Sequence, residues 1–442
     1  RVNDNGAWLV AVDDDPTGCQ SVSGVPLLTA WDHGTLVAAA RRRAPVTFVL
    51  TNSRSHPQAE AVAVNRDVGA ALAAAADEVG VRLRLISRSD STLRGHYPAE
   101  VDALVAGAGL VPDAVVLCPA FFEAGRFTAD GIHWVHLDGE LIPACDTEFA
   151  RDATFGFTEL TLADWARARG APAEVIDIGL VTLARGDEEA VVSALRAARG
   201  GQAVVLNATN YGHLATFDSA ARTAEAAGTT IVYRTGPSYV RAAAGLGRPA
   251  VADLGPAPTD GGAGGHGLVV VGSHTALTTA QVEGAVGAHG LDVIELDVGA
   301  VLDPARVDDH VARVAEAVAA SLHRQATVLR TSRVLVSEHP DLDPLEISRQ
   351  VADAVTATVR RVAELVPPAW VVVKGGVTSH DVLARAFDVR SAEVAGQALP
   401  GIIPVLRIPL GPAGELRPYV IFPGNVGDER TLAQVVARLV GR

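Results

Sequence analysis

Lysine is almost missing from this 442-residue sequence, because Lys374 is the only lysine among 37 basic residues and all the others are arginine. The formal net charge is −14 at pH 7, so the chain has no excess of positive charge with which to attract nucleic acid or an anionic membrane. Any anion site must therefore be built locally. We expect neither nucleic acid nor a membrane among the partners of this protein.

Cysteine and long apolar runs are scarce as well. The three cysteines, Cys19, Cys118 and Cys145, show neither a metal-binding spacing nor an even disulfide framework, which fits a reducing compartment. No apolar run approaches the roughly 20 residues of a membrane-spanning helix. A signal-peptide pattern is also lacking at the start of the sequence. From these absences we expect a cytoplasmic protein without a metal site of its own.

Length and patterning predict an α/β fold with two domains. A chain of 442 residues exceeds one average hydrophobic core. Short apolar strands alternate with Ala-rich helices, which is typical of a mostly parallel sheet with flanking helices. The Gly- and Pro-rich stretch 255–267 is the candidate linker, so the predicted domains are 1–254 and 268–442. We expect the active site in the cleft between these domains.

Polar residues follow three predicted strands of the N-terminal domain. Three carboxylates, Asp13-Asp14-Asp15, follow the first strand, Arg54 follows the second, and the segment 90–95 (Asp-Ser-Thr-Leu-Arg-Gly) follows the third. The carboxyl ends of parallel strands are where α/β proteins hold their ligands. Arg94 could bind a carboxylate through two hydrogen bonds while Asp90 accepts bonds from hydroxyl groups. The alternative is a helix-capping turn with Arg94 on the surface.

The same residues can be compared with two known enzyme classes. Asp13-x-Asp15-x-Thr17 after a strand also resembles the first motif of haloacid-dehalogenase-type phosphatases, in which one Asp is the nucleophile and the next an acid and base. That class also needs a lysine, and the N-terminal half contains none. A Rossmann dehydrogenase needs Gly-x-Gly-x-x-Gly after its first strand, and the sequence lacks it. The phosphatase remains an alternative for these residues.

Gly-containing loops follow the predicted strands of the C-terminal domain. Lys374 and Gly375 end the apolar run 370–373, and Thr378 or Ser379 could cap a helix that begins near His380. A strand, a glycine turn and a helix start together suit a phosphate group. The candidate nucleotide-binding residues are Gly272, Ser273, Ser332, Lys374, Gly375, Gly376, Val377, Thr378, Gly401, Gly424, Asn425 and Gly427.

Contiguous motifs make the sequence similar to the four-carbon acid sugar kinase family. Residues 14–18 (Asp-Asp-Pro-Thr-Gly), 90–95 and 123–126 (Glu-Ala-Gly-Arg) occur in that order, and the C-terminal loops follow. The resemblance implies ATP-dependent phosphorylation of a hydroxyl of a small sugar acid such as threonate, erythronate or an oxo-tetronate. A non-catalytic acid-sugar-binding protein is the other alternative. It also implies that the N-terminal domain binds the acid, that the C-terminal domain binds the nucleotide, and that Mg²⁺ accompanies the ATP.

The resemblance also suggests roles for individual residues. The candidate catalytic carboxylates are Asp14, Asp15 and Asp90, one of which would accept the proton of the attacked hydroxyl. The candidate substrate-binding residues are Arg54, Ser91, Thr92, Arg94, Gly95 and Arg126. Val377 stands where many relatives have an acidic residue, which leaves the exact substrate open. A homodimer is expected only because it is the commonest assembly.

Overall fold

The computed structural model describes residues 6–137, 139–254, 266–272, 275–333, 342, 344–401, 403–410, 414–424 and 426–441. The chain divides into two compact units, Arg1–Pro249 and Ala250–Arg442, which we call unit 1 and unit 2. Most of the predicted linker, together with Ser273 and Asn425, lies outside the described residues.

A parallel sheet with helices along it forms unit 1. Its strands are β1 (Ala7–Asp13), β2 (Val25–Leu28), β3 (Thr47–Leu50), β4 (Arg82–Arg88), β5 (Ala114–Cys118), β6 (Arg126–Ala129), β7 (Ile132–Leu137), β8 (Glu140–Pro143), β9 (Ile176–Ile178), β10 (Gln202–Leu206) and β11 (Ile231–Thr235). The parallel sheet has the order β2-β3-β1-β4-β11-β5-β10-β9, whereas β6, β7 and β8 form a small antiparallel sheet.

The helices of unit 1 cover the parallel sheet. They are α1 (His33–Arg42), α2 (Gln58–Val79), α3 (Ala99–Gly107), α4 (Leu162–Ala168), α5 (Leu180–Ala184), α6 (Glu188–Ala197), α7 (Tyr211–Ala226) and α8 (Pro237–Ala243). Strand β1 is apolar almost throughout because it is buried in the middle of the sheet, as central strands of parallel sheets are. Gly69 of α2 lies against the backbone of α3, where a Cβ atom would have no room.

The hairpin of β7 and β8 and the end of β11 are two local features of unit 1. Residues 131–152 contain β7 and β8, which pair as an antiparallel hairpin. In β7 buried residues alternate with more exposed ones, which is the period-two pattern of a strand with one face on a core. Arg234 and Thr235 are the last two residues of β11, and α8 begins at Pro237.

Unit 2 also contains a mostly parallel sheet. Its strands are β12 (Leu268–Val271), β13 (Asp292–Leu296), β14 (Thr327–Thr331), β15 (Val371–Lys374), β16 (Ser391–Gln397), β17 (Pro404–Pro409) and β18 (Leu416–Phe422). Its helices are α9 (Ala276–His289), α10 (Val298–Val301), α11 (Val307–Leu322), α12 (Pro344–Leu365), α13 (Gly376–Asp381) and α14 (Thr431–Leu439). The order β13-β14-β12-β15-β18 is parallel, and β17 and β16 continue it in antiparallel fashion.

The predicted α/β class, with a mostly parallel sheet in each unit, is confirmed. The helix after β15 begins earlier than predicted, at Gly376, so Thr378 and Ser379 lie inside its first turn and do not cap it. The hydroxyl of Ser379 instead donates to the carbonyl oxygens of Gly375 (2.6 Å) and Val373 (3.2 Å). In the described ranges, no helix combines the length and apolarity that a membrane crossing requires.

Candidate active site

Carboxylates and guanidinium groups meet at the carboxyl ends of β1, β3 and β4. Arg54 follows β3 and bonds Asp14 with two nitrogens, at 2.9 Å (Nη2 to Oδ1) and 3.3 Å (Nε to Oδ2). Its Nη2 also lies 3.4 Å from Asp15, and its Nη1 lies 3.9 Å from Asp90. The structure thus brings together four side chains that follow three separate strands in the sequence: Asp14, Asp15, Asp90 and Arg54. Arg54 is shared among three carboxylates.

A second, deeper ion pair lies behind Asp14. Asp13 and Arg88 are opposite each other in the register of β1 and β4, and Arg88 Nη1 lies 2.9 Å from Asp13 and 3.7 Å from Asp14. Burial raises the pKa of Asp13 to about 7 even though Arg88 opposes this shift. A Cβ atom on Gly18 would overlap the Asp13 carboxylate. Asp13 is therefore enclosed and has no space beside it for a phosphate ester.

Two of the three predicted catalytic carboxylates, Asp15 and Asp90, are held in their charged form. Burial favours a raised pKa at Asp15, but Arg54 and hydrogen bonds from Thr17 outweigh it and lower that pKa. At Asp90 burial is likewise outweighed by Arg54, by Arg94 and by the Thr92 hydroxyl, so its pKa is lowered. Arg94 Nε donates to Asp90 at 2.6 Å. Asp14 differs, because burial raises its pKa against the effect of Arg54.

Glu100 and Arg234 also belong to this cluster, and neither is among the candidate site residues named from the sequence. Glu100 accepts hydrogen bonds from the Ser53 hydroxyl (2.5 Å) and the His96 amide (3.2 Å), and Arg234 lies 3.7 Å from it. Gly95 is required here, because its φ is +118° and a Cβ atom would come within 2.7 Å of Arg234. The sequence signal for such residues is a charged side chain at or near the end of a strand, as Arg88 is in β4 and Arg234 is in β11.

The small antiparallel sheet brings Arg126 to this cluster. Arg126 Nη1 donates to the Ser91 hydroxyl at 2.7 Å. His133 Nε2 lies 2.8 Å from the Ser91 carbonyl, so it must carry the hydrogen, and Nδ1 then accepts from Thr128 at 3.0 Å. Burial lowers the pKa of His133 to about 4, so the ring is neutral at pH 7. His133 therefore fixes the position of the segment that contains Ser91.

Lys374 in unit 2 is fully buried. Its ammonium group donates to the carbonyl oxygens of Pro423 (3.0 Å) and Gly424 (3.1 Å) and lies 4.2 Å from the centre of the Phe422 ring. Burial lowers the pKa of Lys374 to about 8. The side chain thus anchors the loop after β18, and direct contact with a phosphate group stays a prediction.

Four other predicted nucleotide-binding residues fall at the carboxyl ends of adjacent strands of unit 2. Gly272, Ser332, Gly375 and Gly424 follow the adjacent strands β12, β14, β15 and β18. Gly272 lies so close to Thr378 that a Cβ atom on it would be 2.8 Å from the Thr378 hydroxyl. The backbone of Gly272 therefore lies against the Thr378 side chain.

Some predicted residues are engaged elsewhere or lie farther away. Ser332 accepts a hydrogen bond from the Val298 amide (3.0 Å) at the start of α10, so its hydroxyl already has a structural role. Gly401 lies in the turn after β16, which the sheet order separates from β15 by β17 and β18. Gly427 packs against Thr431, where a Cβ atom would overlap the side chain. Val377 is 47% exposed beside Gly376 at the start of α13.

The sequence matches two family profiles that together cover both units. Residues 9–243 match a sugar-binding N-terminal domain, and residues 268–432 match a nucleotide-binding C-terminal domain. The chain belongs to the four-carbon acid sugar kinase family. A nucleotide-binding domain in a family of kinases implies ATP as the phosphoryl donor.

Two kinases are similar to this chain along most of its length. It is 29% identical to the D-erythronate kinase of Heliobacterium modesticaldum over 81% of this chain and 80% of that protein. It is 26% identical to a D-threonate kinase of Salmonella typhimurium over 74% of this chain and 72% of that protein. These relatives confirm the predicted class, a phosphotransferase that acts on a hydroxyl of a sugar acid.

Solved structures support the fold of this kinase family member. A Salmonella typhimurium LT2 protein superposes with a TM-score of 0.69 at 19% identity, over 97% of this chain and 98% of that one. The Haemophilus influenzae protein HI1011 superposes with a TM-score of 0.64 at 17% identity, over 98% of this chain and 100% of that one.

The phosphatase alternative is not favoured. Its nucleophile would be Asp13, and this side chain is enclosed and paired with Arg88.

Proposed function

We propose that this protein transfers the γ-phosphoryl group of ATP to a hydroxyl of a four-carbon sugar acid of the threonate or erythronate type. The cluster of Asp14, Asp15 and Asp90 around Arg54 is the observation that carries the proposal. Asp15 and Asp90, whose pKa values are lowered, can accept hydrogen bonds from several hydroxyl groups at once, and a four-carbon acid offers such groups on adjacent carbons. We assign residues 1–254 to the acid and 268–442 to the nucleotide.

Asp15 is the carboxylate that we assign to the hydroxyl under attack. Its side chain is 22% exposed, against 3% for Asp14 and 9% for Asp90, so it is the most accessible of the three. Asp14 is held by two nitrogens of Arg54 and stays a structural and orienting group. Because phosphoryl transfer depends mainly on positioning and charge neutralisation, a carboxylate that orients the hydroxyl and takes its proton late is sufficient.

ATP fits the glycine-rich edge of the sheet of unit 2. Gly272 and Gly375 have no side chain, and Gly375 has a φ of +116°, so the backbone amide groups of these turns can face a phosphate, with the Thr378 hydroxyl beside them. Backbone amides at such turns suit phosphate oxygens. In the described ranges, no group of three or more His, Cys, Asp or Glu side chains could hold a metal ion. We therefore propose that Mg²⁺ enters on the triphosphate, where it neutralises charge.

An ADP-release assay with ATP and Mg²⁺ tests this function. The acids are D-threonate, D-erythronate and their oxo derivatives, with Asp90→Asn as the variant and Asp67→Asn, an exposed position on α2, as the matched control. We expect ADP release with one of these acids, a loss of roughly 100-fold or more in Asp90→Asn, and no change in Asp67→Asn. If ADP release required no acid at all, or if Asp90→Asn kept full activity, the proposal would be wrong.

A further inference from the structure

The guanidinium groups of the cluster in unit 1 are unequally neutralised. Arg54 faces three carboxylates, Arg88 bonds Asp13, and Arg94 bonds Asp90 at 2.6 Å. Arg126 differs, because no carboxylate oxygen of the described residues lies within 4.0 Å of its guanidinium group. Its hydrogen bond is to the neutral Ser91 hydroxyl, and its Nε is buried without a partner.

The phenyl ring of Phe149 lies against the guanidinium group of Arg126. Phe149 lies in the short 3-10 helix Glu148–Arg151, and the guanidinium carbon of Arg126 is 5.2 Å from its ring centre. The guanidinium carbon of Arg94 is 5.4 Å from the same ring. Both distances are within the range of cation–π attraction, which offsets part of the repulsion between two neighbouring cations. Arg126 and Arg94 thus share one ring, while Asp90 attracts Arg126 from beyond the 4.0 Å of a direct ion pair.

A partly buried cation that has no carboxylate in direct contact is stabilised when a ligand supplies that contact. Burial, Arg94 and Arg88 lower the pKa of Arg126 while Asp90 raises it, and a guanidinium stays protonated at any physiological pH. The anion that completes this arrangement is one carboxylate, because Nε and the second terminal nitrogen of one guanidinium match its two oxygens. A small organic monoacid fulfils that requirement.

We propose that Arg126 receives the carboxylate of the sugar acid and that Phe149 is the positioning residue that keeps Arg126 available for it. This inference rests on the proposed function, since it specifies where in the site the acid group of the substrate lies. Arg54 and Arg94 then hold Asp14, Asp15 and Asp90 for the hydroxyl groups. The division explains why one arginine of the cluster lacks a carboxylate while its neighbours have one or more.

The competing explanation is that Arg126 serves only to hold Ser91. In that case its loss would disturb the whole pocket, and ligands with and without a carboxylate would be weakened alike. A comparison of each acid with its polyol therefore separates the two explanations. D-threonate and D-erythronate are compared with threitol and erythritol, which keep the chain length and replace the carboxylate by an alcohol.

The experiment measures binding by calorimetry with the full chain. The variants are Arg126→Gln, Phe149→Leu and Phe149→Tyr, and Arg169→Gln is the matched control because Arg169 also stacks on aromatic rings, those of Trp165 (4.6 Å) and Phe157 (5.9 Å). We expect the preference for an acid over its polyol to fall about 10- to 100-fold in Arg126→Gln, as for a lost charged hydrogen bond. In Phe149→Leu a fall of about 3- to 10-fold is expected, while Phe149→Tyr and Arg169→Gln keep the preference.

Two results would overturn the proposal. One is a wild-type protein that binds neither acid better than its polyol, and the other is an Arg126→Gln protein that keeps the preference or loses acid and polyol equally. Equal effects of Leu and Tyr at position 149 would remove Phe149 from the proposal. Failure of the proposed function is recognised separately, as normal acid binding without ADP release when ATP and Mg²⁺ are added.

Discussion

The single lysine allows a clean test of how a buried amine contributes to stability. Lys374 is fully buried, bonds two backbone carbonyls, and has no carboxylate of the described residues within 4.0 Å. Burial lowers its pKa from the ordinary 10.5 to about 8. Because the chain has no other lysine, replacing this residue removes the only lysine titration.

The expected sign and size follow from linkage between protonation and folding. Between pH 8 and 10.5 the unfolded chain binds more protons at Lys374 than the folded chain does, so stability rises with pH in this window. The cost of burying the charge, about 3 kcal/mol, is fully present below pH 8 and is relieved as the pH rises towards 10.5. Between pH 7.5 and 9.5 the relief amounts to about 2 kcal/mol.

The measurement compares wild type with Lys374→Met, whose side chain has a similar length and no titrating group. Urea unfolding is followed by tryptophan fluorescence at pH 7.5 and 9.5, and Trp370 beside β15 reports on unit 2. Tyrosines and cysteines titrate in both proteins and cancel in the comparison. We expect wild type to gain about 2 kcal/mol relative to the variant. An identical pH dependence in both proteins, or a relative loss in wild type, would refute the reasoning.

Two further predictions concern buried groups of unit 1. Arg84→Met should destabilise the protein by about 3 to 5 kcal/mol in thermal or urea unfolding, because it removes the buried cation 2.8 Å from Asp218 and 3.0 Å from Glu225. Adding Asp218→Asn and Glu225→Gln should recover much of that loss. Gly18→Ala should lower kcat/KM on the order of 10- to 100-fold, since a Cβ atom there displaces the Asp13 carboxylate.

Each of these predictions has a control. Gly34 in α1 is the matched glycine, because a Cβ atom added there would have its nearest neighbour 3.6 Å away, and Gly34→Ala should leave kcat/KM unchanged. A Gly18→Ala protein with unchanged kcat/KM would mean that the enclosure of Asp13 is irrelevant to activity. For the ion cluster, a triple variant no more stable than Arg84→Met would show that the unpaired carboxylates are not the cause of the loss.

The sequence predicted the α/β class and the family because both depend on local patterns. Residues 14–18 and 90–95 are contiguous, and each follows an apolar strand, so their meeting at one sheet edge could be inferred from parallel topology. The roles assigned to Asp14, Asp15, Asp90 and the arginines remain predictions, although the structure places these side chains in one cluster.

Other features could not be inferred because they depend on contacts between distant residues. Whether Lys374 points into the protein or towards solvent is decided by the packing of the loop after β18, about fifty residues away. Phe149 lies in the short 3-10 helix Glu148–Arg151, and its position beside Arg94 and Arg126 depends on how the chain folds after the small antiparallel sheet. Neither contact leaves a periodic signal in the sequence.

The residues that we propose for the carboxylate and for the hydroxyl groups of the substrate lie in different parts of the chain. The catalytic carboxylates that we propose follow strands of the parallel sheet, whereas Arg126, His133 and Phe149 lie between β5 and α4, in one continuous segment. A segment of this kind can be exchanged between relatives as a module while the framework that orients the hydroxyl groups is retained. Acceptor choice could therefore diverge, in evolution or by grafting, without rebuilding the machinery of phosphoryl transfer.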